Sequence, residues 1–243
     1  MQTAMNEVEF GCGGDKLQTD IVSIQGIGGG YQVECESYGC CDGSWAFDDL
    51  ADVAKHVQSF SCIRFLEVRS VIWNQEMNQM LRYLLCDVLC SLEVLGVHFV
   101  SEEVATEFFW ILGICPNKSN KFSLDSLKLD SVRFAFWDWA LISICLCSLE
   151  QVSFTNCGLD DGDLKSLKKM LSGTPIPGPM ISSLDLSNNH FSIDGIRGFQ
   201  AAMRYLPSLT HLNFRGNPAQ DDSEHSVASS YFRSSRSLKE FHI

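Results

Sequence analysis

Basic residues are scarce in this chain. Its 243 residues hold 18 lysines and arginines against 30 aspartates and glutamates, a formal charge of -12 at pH 7 with pI ≈ 4.8. A nucleic-acid surface needs clustered Lys and Arg to meet phosphates, and no such cluster is present, so no nucleic-acid partner is expected. No membrane partner is expected either, because an anionic lipid surface would be repelled. Membrane-length apolar runs are missing too. Phe134 to Leu149 is strongly apolar, but its 16 residues include Asp138, and crossing a bilayer takes roughly 20. It reads as a buried helix.

Metal and catalytic signatures are also absent. None of the 11 cysteines forms a C-x-x-C pair, and Cys40-Cys41, Cys86/Cys90 and Cys145/Cys147 lack zinc-knuckle spacing. Cys12, Cys35, Cys40 and Cys41 carry no spacing signature for a metal either. There is no G-x-S-x-G, H-E-x-x-H or Walker A run, and the six histidines are scattered. No catalytic residue, metal or cofactor is therefore expected. The start, MQTAMNEVEF, shows no basic region followed by an apolar run, so the cysteines read as reduced core residues of a cytoplasmic protein.

What the chain does contain is a ruler. From Ile181 to Ala219 the pattern L-x-x-L-x-L-x-x-N-x-L occurs twice, as Ile181, Leu184, Leu186, Asn189, Phe191 and as Leu209, Leu212, Phe214, Asn217, Ala219, 28 residues apart. Apolar residues at positions 4 and 6 share one side of a short strand. The asparagine at position 9 can serve the unpaired backbone of neighbouring turns. Ile196, Phe199, Met203 and Leu206 then follow at helical spacing. The same ruler fits at Leu149, with Cys157 in the asparagine place, and begins again at Leu238. Its strand half fits at Leu124, Leu92 and Ile63, where position 9 holds Val132, Val100 and Val71. Starts at 63, 92, 124, 149, 181, 209 and 238 are separated by 29, 32, 25, 32, 28 and 29 residues. Units of one strand and one helix cannot bury their own apolar faces, so they must stack.

Before the array, Ile21 to Gln25 and Tyr31 to Ser37 are strand-like and flank Gly26-Ile27-Gly28-Gly29-Gly30. A phosphate cradle would need a helix after those glycines. A hairpin over residues 1–45, covering the first edge of a domain of about six repeats plus a partial one over 46–243, fits better. Helices are expected over Phe47 to Phe60, Glu76 to Cys90, Glu102 to Leu112 and Asp160 to Leu171, and a loop at Ser172 to Met180, which has three prolines. The segment Asp221 to Arg236 is polar, with Val227, Tyr231 and Phe232 as helix anchors. The array ends on a bare strand at Ile243, which predicts a longer gene product or association through an open C-terminal edge.

Leu184-Asp185-Leu186-Ser187-Asn188-Asn189 and Leu212-Asn213-Phe214-Arg215-Gly216-Asn217, with their period and full helices, resemble the ribonuclease-inhibitor-like class of leucine-rich repeat proteins. The resemblance is good from about Leu149 onward, moderate back to Ile63, and absent before that. It implies an α/β leucine-rich-repeat solenoid, a horseshoe with a concave parallel β-sheet and convex helices. It also implies a protein partner, bound by a non-enzymatic interaction module on the concave face. Odd strand positions point there: Phe65, Glu67, Arg69; Val94, Gly96, His98; Ser126, Lys128, Asp130; Gln151, Ser153, Thr155; Ser183, Asp185, Ser187; and His211, Asn213, Arg215. The alternative is a GTPase-activating protein resembling the Ran GTPase activators, with Arg69 or Arg215 as the arginine supplied in trans.

Overall fold

A computed structural model of the chain describes residues 21–36, 43–60, 63–85, 89–114, 124–133, 139, 142, 146, 149–173, 180–218, 232 and 237–243. The proline- and glycine-rich loop expected at 172–180 and the polar segment 221–236 with its helix anchors fall largely outside these residues, as do most of 134–148. The fold is mixed α/β, with a large, mostly parallel sheet and helices packed on it. Strands β1 (Ile21–Ile27), β2 (Gly30–Glu36) and β3 (Gly43–Phe47) come first, followed by helix α1 (Leu50–Gln58). Then come β4 (Phe65–Arg69), β5 (Ile72–Trp73), α2 (Gln75–Leu85), β6 (Ser91–Leu95), β7 (His98–Phe99), α3 (Glu102–Ile114) and β8 (Ser126–Asp130). The rest are β9 (Gln151–Thr155), α4 (Asp161–Gly173), β10 (Ser183–Asp185), α5 (Ile193–Phe199), a 3-10 helix (Gln200–Tyr205), β11 (His211–Asn213) and β12 (Glu240–His242).

Ten strands form one sheet in the order β12-β11-β10-β9-β8-β6-β4-β1-β2-β3. From β1 through β4 to β12 every neighbouring pair is parallel; only β1–β2 and β2–β3 are antiparallel. The glycine-loop hairpin is therefore β1–β2, and its first strand adds in parallel to β4. Alternation sorts the side chains. Leu66, Val68, Leu92, Val94, Leu127, Leu129, Val152, Phe154, Leu184 and Leu212 are all buried on one face, in one apolar core with the inward residues of α1, α2, α3, α4 and α5. Trp139, Ile142 and Leu146 join that core as helical positions three and four apart. Among the described residues no helix is long and apolar enough to cross a membrane.

Pairing corrects the ruler at one place. Leu92 stands opposite Leu66 on one side and Leu127 on the other, both position-4 residues. That copy therefore starts at the buried Leu89, not at Leu92, and Val97 rather than Val100 takes position 9. Backbone angles give the same frame. Position 8 is left-handed in six successive copies, at Ser70 (φ 52), Gly96 (φ 59), Ser131 (φ 56), Asn156 (φ 52), Asn188 (φ 57) and Gly216 (φ 72). Its N–H reaches the carbonyl of the next copy, from Ser70 to Leu95 (2.9 Å), Gly96 to Asp130 (2.8 Å), Ser131 to Thr155 (3.0 Å), Asn156 to Ser187 (3.1 Å) and Asn188 to Arg215 (2.7 Å).

Position 8 gives a test of that frame. A Cβ at Gly216 would stand 2.1 Å from Asn188 Oδ1, whereas one at Gly96 meets nothing nearer than 3.8 Å. A non-glycine residue in this conformation costs about 1–2 kcal/mol by itself. Gly96→Ala should therefore lose about 1 kcal/mol, and Gly216→Ala should lose at least about 2, measured by urea unfolding. Equal losses would show that Asn188 moves aside freely.

The helix after β10 departs from expectation. It is α-helical only to Phe199 and continues as a 3-10 helix to Tyr205. Leu206, with φ -121 and ψ 65, precedes Pro207, which disfavours the α region for the residue before it.

Candidate functional site

The sheet face away from the helices is the candidate site. Its central row runs in register across nine strands as Glu34, Ser23, Glu67, Glu93, Lys128, Ser153, Asp185, Asn213 and His242. A second row is Ile21, Phe65, Ser91, Ser126, Gln151, Ser183, His211 and Glu240, and a third is Gln25, Arg69, Leu95, Asp130 and Thr155. Phe65, Glu67, Arg69, Lys128, Asp130, Gln151, Ser153, Asp185, His211 and Asn213 thus occupy outward strand positions, with Arg215 exposed just past β11.

Four expected members behave differently. His98 lies on β7, which pairs with β5 in a separate two-stranded sheet, and its companion Val94 is fully buried. Glu93, with Ser91 and Leu95, takes their place on the outward face; sequence reading missed it because the frame of that copy was displaced by three. Thr155 lies in the third row but is buried, and its hydroxyl has no hydrogen-bond partner among the described residues. Ser187 is buried as well, where its N–H donates to Asp185 Oδ1 at 2.9 Å.

Several charges on this face are paired, within a strand or across two. Lys128 Nζ reaches Glu93 Oε2 at 3.3 Å, Arg69 pairs with Glu67, and Ser23 Oγ donates to Glu67 at 3.2 Å. The Glu67 partnership raises the Arg69 pKa further, so this cation stays charged at every working pH. Asn213 Nδ2 donates to Asp185 Oδ2 at 3.0 Å, and Asn213 Oδ1 accepts from Arg215 N at 3.1 Å. The result is a mixed polar strip with apolar relief from Phe65 and Leu95. Such pairs are exposed enough to exchange partners at small cost.

The floor beneath the strip is held by side chains that serve backbone. Asn189 is almost wholly buried. Its Nδ2 donates to the carbonyls of Phe154 (2.7 Å), Leu186 (3.0 Å) and Ser187 (3.2 Å), and its Oδ1 accepts from Cys157 N (3.0 Å) and Leu159 N (3.2 Å). Asn217 repeats this toward Leu186 O, Phe214 O and Phe191 N. Cys157 Sγ lies 3.4 Å from the equivalent Leu129 carbonyl and 3.2 Å from Thr155 O, and burial pushes its thiol up to about 12. It is a thiol donor in the place of an amide, not a nucleophile.

Two other places have chemistry without convergence. His56 lies among Trp45, Phe47 and Phe60, with ring centroids 4.5, 5.1 and 5.1 Å away, and burial lowers its pKa. A cavity of ≈ 210 Å³ between α4 and α5 is lined by Asp161, Leu164, Lys168 and Phe199 among others, but Lys168 Nζ is committed to Gly198 O at 3.0 Å.

No protein-family model matches the chain, and no curated protein matches it. Among solved structures, it is similar to the actin-binding site 2 of leiomodin-1, at 16% identity over 46% of this chain and 70% of that one, with a TM-score of 0.37. A structural-genomics protein from Bacteroides fragilis aligns over 90% of this chain and 91% of its own, at 9% identity and a TM-score of 0.26.

Proposed function

We propose that the chain is a leucine-rich-repeat solenoid whose outward, concave face binds a protein partner, without catalysing a reaction. The observation that carries this reading is the continuous outward face: every described strand from β2 to β12 in the ten-stranded sheet contributes to it, while the apolar residues of the sheet pack on the helices instead. A broad, mixed strip with satisfied backbone and a few apolar points has the composition of a protein interface. Its cations are few, and two of them, Arg69 and Lys128, are paired with Glu67 and Glu93, which suits neither phosphate nor nucleic acid.

The test is affinity capture from native extract with three proteins. One is unaltered, one carries Glu67→Lys/Glu93→Lys/Ser153→Arg on the outward face, and one carries Glu76→Lys/Gln79→Arg/Glu102→Lys on exposed helix positions. Both variants change charge equally. The expected result is a partner retained by the second variant and lost, at least tenfold, by the first. Equal retention by both removes the outward face from the proposal; equal loss from both makes net charge, not the face, the determinant.

A further inference from the structure

Exposed aliphatic side chains collect at one corner of the large sheet. Among the described residues six large apolar side chains are exposed, and three of them, Ile27, Ile72 and Val100, stand close behind the ends of the neighbouring strands β1, β4 and β6. Ile72 pairs with His98 in the small β5–β7 sheet. Residues two apart on a strand share a face, so Ile72, His98 and Val100 point the same way, out of the molecule. Trp73 and Phe99, on the opposite face, pack inward on Phe108. Ile27 follows Gly26, where a Cβ would stand only 2.2 Å from Ser70 O, so the hairpin tip adjoins the turn that carries Ile72. Across its three strands the patch is about 10 Å wide.

The fold does not ask for apolar groups here. Position 10 is Ile72, but His98, Arg133, Gly158, His190 and Pro218 in the other copies. Position 12 holds Asn74, Asp160 and Ser192, each of which caps the helix that follows it. The copy starting at Leu89 has Val100 there and passes the cap to Ser101, whose Oγ accepts from Val104 N at 3.4 Å. Two exposed aliphatics thus stand where the same turn is otherwise polar, glycine or proline, and in water they gain nothing from folding.

Charge decides the occupant. Glu76, Glu102 and Glu103 are exposed within four residues of Ile72 or Val100, and none of them joins an ion pair among the described residues. Later helices also start with acids, Asp161, Asp163 and Asp194, which suits the helix dipole, but no exposed aliphatic precedes them. Only at this corner do the two adjoin. A second copy of the chain, at -12 overall, would set these carboxylates against one another. We infer that the corner docks a basic amphipathic segment of a second partner protein. Apolar side chains of that segment cover Ile72 and Val100, and its lysines or arginines meet the three glutamates. The platform is already rigid, held by the β5–β7 backbone bonds of 3.2 and 3.0 Å, so little ordering is needed on binding. The site stands apart from the outward face, and the two readings fail separately.

The test uses the full chain and a labelled, helix-forming amphipathic peptide of leucine and lysine, followed by fluorescence anisotropy and by methyl NMR. Expected is binding that shifts the methyl signals of Ile27, Ile72 and Val100 ahead of all others. It should weaken by about tenfold or more in Ile72→Ser/Val100→Ser. In Glu76→Gln/Glu102→Gln/Glu103→Gln it should weaken by about threefold and depend less on salt. Asp52→Asn/Glu150→Gln/Asp194→Asn removes as much charge at exposed positions elsewhere and should leave binding unchanged. Peptides with serine for leucine, or glutamate for lysine, should not bind. Circular dichroism confirms folding, and the glutamate variant tests the site even if serine disturbs β5. Absent binding, shifts at other methyls, or equal weakening by the two acid-neutralised variants overturns the site. So does a chain that dimerises alone and becomes monomeric in Ile72→Ser/Val100→Ser, because a second copy is then the occupant.

Discussion

Asn189→Ala should lower the unfolding free energy by about 3–5 kcal/mol, the magnitude expected when a buried network loses its hub. The amide holds five backbone groups from two successive turns, and the nearly complete burial of the residue leaves water little access. Removing it orphans Cys157 N and Leu159 N, each at a desolvation cost of about 1–3 kcal/mol, and takes a donor from three carbonyls. Relaxation recovers part of that sum. Asn217→Ala touches one N–H and two carbonyls, so its loss should be smaller, about 2–3 kcal/mol. The measurement is the urea midpoint of each variant with the slope unchanged. A loss below about 1 kcal/mol for Asn189→Ala would mean that water replaces the amide, and the asparagine would then be a marker of the turn rather than its support.

The asparagine role was legible because the residue type, its spacing and the physical need coincide. Elsewhere they did not, and the frame slipped. Leu89, Leu92 and Leu95 are spaced by three, and so are Val94 and Val97, so either leucine pair satisfies positions 1 and 4, and either valine satisfies position 6. Because side chains alternate, an odd displacement exchanges the two faces of the strand. That is how buried Val94 was assigned outward and Glu93 was overlooked. The deciding signal was present at position 8. The slipped frame puts Phe99 in the left-handed place, whereas the frame starting at Leu89 puts Gly96 there, alongside Gly216, Asn156 and Asn188. A bulky aromatic is a poor occupant of that conformation, and glycine or asparagine a good one. Read for backbone chemistry as well as hydrophobicity, the sequence had the answer. The cross-strand partners Glu93–Lys128 and His211–Glu240 were not legible, since they depend on which copies become neighbours and in what register.

The copies with Val71 and Val97 at position 9 satisfy their turns by another route, the pairing of β5 with β7. Instead of a side-chain amide, backbone pairs with backbone: His98 N reaches Val71 O at 3.2 Å and Val100 N reaches Trp73 O at 3.0 Å. The corrected frame also brings Phe99 under Trp73, with centroids 5.8 Å apart, and both rings pack on Phe108 of α3. Valine at position 9 is then a good choice, because it fills apolar space that no polar group has to cross. Two chemistries thus meet one geometric demand along the same sheet.

Buried Trp73 carries one polar atom into this apolar region, and its partner is the second residue on which a large effect is expected. Its Nε1 donates to Asn78 Oδ1 at 2.9 Å, and Asn78 Nδ2 donates onward to Val104 O at 3.0 Å, joining the β5 turn to α2 and α3. Asn78 is fully buried on the inward face of α2, between Met77 and Met80, where asparagine is a weak helix former and leucine a strong one. On helix propensity alone Asn78→Leu should stabilise. On hydrogen bonding it strands the indole N–H and removes the extra donor to Val104 O at a fully buried position, at about 3 kcal/mol. The second effect is several-fold larger than the first, which is at most about 0.7 kcal/mol. The net loss of about 2.3 kcal/mol should therefore lower the melting temperature by about 5–9 °C, at about 2–4 °C per kcal/mol for a chain of this size. Adding Trp73→Phe to it removes the orphaned donor along with its partner. The double variant should regain part of that loss, giving a coupling energy of about 1 kcal/mol or more between the two positions. Independent, additive losses would show that the indole and the amide do not bond, and that the β5–β7 turn is held by its backbone pairs and aromatic packing alone.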